Sequence, residues 1–203
     1  MELRPQDPSF VLALGSASPR RRDLVGMLGL PFVVQSADAD ETRAPGEPAL
    51  VYVERVALAK LDAVRRRDLG TAKGVLVADT IVIAPDGDVL GKPRDDDEAR
   101  AMLGRLSGAT HAVATRFVLA PPAPRDAPLH AQTVTTRVTF RAMAPAEIAA
   151  YVAGGEGRDK AGAYAVQGRG GVFVERIEGS FTGVVGLPLC ELVVAMRAVG
   201  WIA

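Results

Sequence analysis

Apolar residues in this chain fall into short runs separated by polar, glycine-bearing and proline-bearing stretches, and their spacing predicts alternating strands and helices. Phe10-Val11-Leu12-Ala13-Leu14 is continuously apolar and predicts a buried strand. It stops at Gly15-Ser16-Ala17-Ser18. A helix then opens with Ser18 as N-cap and Pro19 at its first position, carrying Leu24 and Leu28 on one face. Pro31 to Gln35 predicts a short strand, followed by the acidic loop Asp38-Ala39-Asp40-Glu41. The stripe Val53, Ala57, Leu61 and Val64 predicts a helix from Pro48 to Arg67. Gly74 to Ala78 is a buried strand that meets Asp79-Thr80 and continues apolar through Ala84. Asp86-Gly87 reads as a hairpin turn, with Val89 to Pro93 returning antiparallel. Asp95 to Glu98 opens a helix through Leu106, its acids well placed in the first turn.

Two long strands are expected near 110–120 and 132–141, flanking a proline-rich stretch, 121–128, that reads as an exposed loop. A short helix over Pro145 to Ala153 precedes a glycine-rich irregular segment, 154–171. A strand over 172–177 and a helix over 188–199 finish the chain. Long antiparallel strands mixed with alternating helices predict an α/β (α+β) fold around a mixed sheet. We expect a single domain over 1–203, with two lobes and a central cleft.

The chain has 203 residues, 48% of them apolar, enough to bury a core. Twenty-four basic and twenty-four acidic residues cancel, a poor footprint for a long nucleic acid but compatible with a small anion in a local basic pocket. No apolar run approaches the ~18–20 residues of a membrane helix, and the first residues lack the basic start and apolar core of a secretory signal. The single cysteine, Cys190, excludes an internal disulfide and points to a reducing, cytoplasmic setting. Within Leu187-Pro188-Leu189-Cys190-Glu191-Leu192 it reads as a small buried apolar residue. His111 and His130 have no zinc-like spacing to it.

Candidate chemistry concentrates in five places. Residues 14–22 bring a strand end, hydroxyls and Arg20-Arg21-Arg22 to a helix N-terminus, whose free N–H groups and positive dipole end suit phosphate. An ordinary capped helix with solvated arginines fits that pattern equally well. Asp79 breaks an apolar strand, so its carboxylate must be paired, bind metal, cap a loop or face a cleft. Lys92 lies between Gly91 and Pro93, where a Walker loop would require Ser or Thr after the lysine. Glu41, beside Asp38 and Asp40, is either a hard-cation ligand or part of a solvated acidic turn. The segment Gly157 to Gly168 offers glycines for close approach and Gln167, whose amide pairs donor and acceptor to a base edge. No glycine follows the serine as a hydrolase nucleophile elbow requires.

Taken together, the chain resembles the Maf family of nucleoside triphosphate pyrophosphatases over about residues 9 to 200. The resemblance rests on Ser16-Ala17-Ser18-Pro19-Arg20-Arg21, Arg55-Val56-Ala57-Leu58-Ala59-Lys60, Ala78-Asp79-Thr80-Ile81-Val82 and Leu90-Gly91-Lys92-Pro93. It rests equally on Leu106-Ser107-Gly108 with His111, Asp159-Lys160-Ala161-Gly162-Ala163-Tyr164, Gln167-Gly168 and Val185-Gly186-Leu187-Pro188-Leu189. It implies a fold like that of inosine triphosphate pyrophosphatases. The implied reaction hydrolyses a nucleoside triphosphate to its monophosphate and pyrophosphate with a divalent cation, Mg²⁺ or Mn²⁺, and the implied assembly is a homodimer. By the same resemblance Asp79 is the catalytic proton acceptor, and Ser16, Arg20, Arg21, Lys60 and Lys92 hold phosphates. Glu41, Asp79 and Asp159 would hold the metal.

The Gln-Gly after the tyrosine is similar to the subgroup acting on dTTP and UTP, in which Arg20, Thr80 and Gln167 would set specificity. The alternatives are a 7-methyl-GTP pyrophosphatase and a nucleotide-binding regulator of septum formation with little turnover. An intact Asp79, Lys92, Lys60 and Arg20 favour turnover.

Overall fold

The computed structural model describes residues 3–123 and 127–203. Its strands are β1 (Leu12–Leu14), β2 (Phe32–Val34), β3 (Gly74–Ile83), β4 (Val89–Leu90), β5 (Thr110–Ala120), β6 (His130–Phe140) and β7 (Val174–Glu178). The helices are α1 (Pro19–Gly26), α2 (Ala49–Arg65), α3 (Asp96–Leu106), α4 (Pro145–Ala153), α5 (Phe181–Val185) and α6 (Leu189–Ala198). Among the described residues the strands form one seven-stranded mixed sheet in the order β2-β1-β3-β5-β6-β7, with β4 beside β3. β1 is parallel to β2 and β3, whereas β4 and β7 run antiparallel to β3 and β6.

The chain divides into two compact units, each assembled from separated segments. The first takes Met1–Asp79, Thr115–Thr133 and Gly186–Ala203, the second Thr80–Ala114 and Val134–Val185. In the first, the α2 stripe Ala57, Leu61 and Val64 packs with Ala13, Val75, Val77 and Val118. Val53 on the same helix is fully buried. In the second, α3 and α4 supply Met102, Leu103, Leu106, Ile148 and Val152 to a core that includes Val82, Val138, Phe140 and Phe173.

Local chemistry explains the element boundaries. Ser18 caps α1 by accepting the Arg21 N–H at 3.4 Å, and Asp95 caps α3 by accepting the Glu98 N–H at 2.8 Å. The β3–β4 hairpin closes through Ala84 N–H to Asp88 O at 2.8 Å, with Gly87 at φ 86, a conformation glycine adopts without strain.

Several expectations are corrected. The strand expected at 172–177 starts at Val174, because Arg169–Phe173 form a 3₁₀ turn. The antiparallel return expected through Pro93 ends at Leu90. Helix α5 lies in a segment where no element was expected. Cys190 is exposed, because Leu192, Ala195 and Met196 form the buried stripe of α6 and position 190 lies off that stripe. Of the proline-rich stretch 121–128, residues 124–126 lie outside the described residues, as do Met1 and Glu2 at the N-terminal end. Among the described residues, no helix is long and apolar enough to cross a membrane.

Candidate active site

Three parallel strands bring the first unit's candidate residues to one end of the sheet. Leu12–Leu14 pair in register with Gly74–Leu76 and with Phe32–Val34. The turn after β1, the loop after β2 and the continuation of β3 toward Asp79 therefore all leave at the C-terminal ends of these strands, where open α/β sheets place their ligands. Gly15 N–H donates to Leu76 O at 2.8 Å and Gln35 N–H to Leu14 O at 2.9 Å, which fixes both departures. A Cβ on Gly15 would lie 2.7 Å from both Val64 Cγ2 and Val77 Cγ1, so the close fit of α2 to the sheet demands glycine there.

Lys60 organises the acids. It stands on α2, and its Nζ lies 2.5 Å from Asp79 Oδ1 and 2.8 Å from Glu41 Oε1. Asp79 is buried on β3, so Lys60 supplies the pairing that a carboxylate inside an apolar strand requires. Of the readings left open for Asp79, this contact meets the first, a paired carboxylate. Buried Ser16 Oγ accepts the Ser18 N–H and an Arg21 Nη1–H, each at 3.3 Å. Arg21 Nε–H donates to Gly186 O at 2.8 Å, which pins the guanidinium. Burial pulls the pKa of Arg21 down, and the nearby charges of Asp79 and Glu41 oppose that shift. Arg20 is half-buried on the same helix, and Arg22 is exposed beside Asp23.

The acidic loop is clasped to α2 by residues to which the sequence reading gave no role. Arg55 forms a two-pronged contact with Glu47 at 2.7 and 2.8 Å and also donates to Thr42 O at 2.9 Å. The Tyr52 hydroxyl donates to Glu41 O at 2.8 Å. Arg55 holds the Glu47 carboxyl down at about 2. Burial, together with the negative charges of Asp79 and Glu41, raises the Tyr52 hydroxyl pKa. The signal available in the sequence was Tyr52 and Arg55 three apart on one face of a helix, a spacing that lets them touch.

The second unit holds Thr80, Lys92, Asp159 and Gln167. Thr80 follows Asp79 on β3 and is half-buried. Exposed Lys92 follows Gly91, whose carbonyl accepts the Gly162 N–H at 3.1 Å, so the Lys92 turn and the 159–163 segment are tied together. Asp159 Oδ1 lies 2.5 Å from Lys160 Nζ, which also donates to Glu156 O at 2.6 Å. Gln167 is exposed on a turn that Glu156 stabilises by accepting the Arg169 and Gly170 N–H groups at 2.9 and 3.0 Å and the Tyr151 hydroxyl at 2.8 Å. His111 is buried, its Nε2 2.9 Å from the Tyr164 hydroxyl, and burial lowers its pKa to about 4. It is a neutral packing group against Phe140 and Tyr164.

Among the described residues, no group of three or more His, Cys, Asp or Glu side chains is placed to hold a metal on its own. The donors that do converge, Glu41 and Asp79, are hard oxygens already gathered around one cation, the Lys60 ammonium. Such a pair fits a hard divalent ion that draws its remaining ligands from water and substrate phosphates.

The family model described as Maf-like protein matches residues 11–199, and the chain belongs to this family. A protein of Myxococcus xanthus named dTTP/UTP pyrophosphatase is 50% identical over 192 residues, 94% of this chain and 93% of that one. A Yersinia pestis protein of the same name is 51% identical over 183 residues, covering 89% and 88%. A Hahella chejuensis protein, likewise so named, is 47% identical over 191 residues, covering 93% and 92%. A solved structure described as that of the Staphylococcus aureus Ham1 protein covers 64% of this chain and 71% of its own, at 13% identity and a TM-score of 0.45.

Proposed function

We propose that this chain hydrolyses nucleoside triphosphates, dTTP and UTP foremost, to the monophosphate and pyrophosphate. The observation that carries the reading is the buried Asp79 carboxylate, fixed by Lys60 at 2.5 Å beside the arginine-bearing N-terminus of α1. Relatives of about 50% identity across nearly the whole chain, named for that activity, support the choice of substrate.

In this reaction a water oxygen attacks the α-phosphorus and the bond from that phosphorus to the bridging α–β oxygen breaks. Pyrophosphate leaves and Asp79 accepts the water's proton. Ser16, Arg20, Arg21, Lys60 and Lys92 hold the triphosphate and stabilise the charge that grows on its oxygens. The bonds from Arg21 to Ser16 and Gly186 set the direction of its guanidinium before substrate arrives. Gln167, Thr80 and Arg20 read the pyrimidine, Gln167 through an amide that pairs with adjacent donor and acceptor groups. A divalent cation, Mg²⁺ or Mn²⁺, held by Glu41 and Asp79 with Asp159 as a further ligand, supplies positive charge to the phosphate oxygens when bound. A homodimer in a cytoplasmic setting belongs to the same reading, and light scattering after gel filtration measures the assembly.

The test is pyrophosphate release from dTTP and UTP with Mg²⁺ or Mn²⁺, repeated in excess EDTA. Turnover that EDTA abolishes is expected. Full activity in EDTA, with the protein metal-free by elemental analysis, refutes the cation. Absence of turnover with every nucleotide refutes the enzyme and favours a binding role.

A further inference from the structure

We propose that Lys60 is the resident cation of this site: its ammonium fills the position a divalent ion takes between Glu41 and Asp79, excludes that ion while nucleotide is absent, and yields it when a triphosphate arrives. The inference rests on the proposed function for the identity of the arriving anion. A hard divalent ion bound by two carboxylates needs their oxygens within about 2.0–2.6 Å of one point. Here an ammonium nitrogen already sits 2.5 and 2.8 Å from oxygens of acids on two different segments, the β2–α2 loop and β3. Two cations cannot share that point.

The ammonium is also costly to dislodge. The Lys60 and Asp79 side chains are only 13% and 10% exposed, so a bare divalent ion that displaced the lysine would leave its partly buried ammonium without a partner. Arg21, which feels the charges of both Asp79 and Glu41, adds positive charge that further disfavours a bare divalent ion. A triphosphate reverses the balance. It brings several negative oxygens, offers Lys60 a new partner, and carries the divalent ion with it. Lys60 therefore moves from carboxylates to phosphate as the ion takes its place, and metal and nucleotide enter together. Its role toward the metal is that of a positioning residue acting by displacement.

The experiment is a Mn²⁺ titration followed by electron paramagnetic resonance, on nucleotide-free protein, comparing wild type with Lys60→Met and Lys60→Arg. Lys60→Met is expected to bind Mn²⁺ roughly tenfold or more tightly than wild type, the scale of removing one like charge a few ångströms from the ion. Lys60→Arg, which keeps the charge, is expected to bind as weakly as wild type. Adding Asp79→Asn to Lys60→Met is expected to erase the gain. Melting without nucleotide gives a second readout: MgCl₂ is expected to raise the Tm of Lys60→Met and leave wild type unmoved. If Lys60→Met does not fold, Lys60→Gln takes its place in both comparisons. Equal Mn²⁺ affinity in wild type and the uncharged variant overturns the proposal. Failure of the proposed function is read separately, as absence of pyrophosphate release by wild type, and leaves this binding comparison intact.

Discussion

Lys60 Nζ lies 2.5 Å from Asp79 Oδ1, which joins the polar edge of α2 to the polar break in β3. Asp79→Asn keeps the size of the side chain and leaves Lys60 its contact with Glu41 at 2.8 Å, so the fold is expected to survive. Turnover of dTTP is expected to fall by roughly 100-fold or more, the scale of losing a positioned base. Steady-state kinetics alongside a melting curve checks both halves, and wild-type turnover in this variant removes the role assigned to Asp79.

His111 makes stability sensitive to acid. Burial lowers its pKa from 6.5 to about 4, so between those values the unfolded chain binds a proton that the folded one does not. Stability is then complete above pH 6.5 and lost as pH falls toward 4, by about 3 kcal/mol for a shift of this size. His111→Gln retains a partner for the Tyr164 hydroxyl and is expected to flatten that part of the curve. Denaturant melts from pH 7 to 4 measure it, and identical slopes in both proteins contradict the assignment.

The Arg55–Glu47 clasp is expected to matter for activity more than for stability. Arg55→Met removes the contacts at 2.7 and 2.8 Å that hold the loop bearing Glu41. kcat/KM should fall roughly tenfold, the scale of a charge-assisted hydrogen bond, with faster amide exchange over residues 40–47. Because Arg55 holds the Glu47 carboxyl at about 2 instead of 4.5, the clasp persists above pH 4.5 and is lost as pH falls toward 2. Unchanged exchange in the loop sinks the idea.

Gly15→Ala tests the fit of α2 against the sheet. The added methyl meets Val64 and Val77 at 2.7 Å, an overpacking expected to cost about 1–3 kcal/mol. Since Ser16 follows directly, kcat should fall with it. Urea unfolding reads the cost, and a variant as stable as wild type means the strands and α2 do not pack as described.

Much of this architecture was legible because local signals agreed with the final fold. Ser18 and Asp95 marked helix starts that the structure caps at those residues. The stripe of α2 named the residues it buries, and Asp86-Gly87 marked the β3–β4 turn. Helix α5 was not legible: it has five residues, too few to show a period, and depends on Ser180 Oγ accepting the Gly183 N–H at 3.2 Å. Candidate residues could be named from the sequence, but the contacts among them could not. Lys60 and Asp79 are 19 positions apart, and their pairing follows from how α2 packs on β3. The hold of Tyr52 and Arg55 on the acidic loop likewise joins residues 11 and 8 positions apart, through Glu41 O and the Glu47 carboxylate.

The most direct test of the central claim is hydrolysis of dTTP and UTP in ¹⁸O-labelled water, with products separated and weighed by mass spectrometry. Attack at the α-phosphorus predicts equal amounts of monophosphate and pyrophosphate, with the label in the monophosphate. It also predicts kcat/KM for dTTP and UTP above that for 7-methyl-GTP, a preference that Gln167→Ala diminishes. Label in pyrophosphate, release of diphosphate and inorganic phosphate, or 7-methyl-GTP as the best substrate would contradict the account.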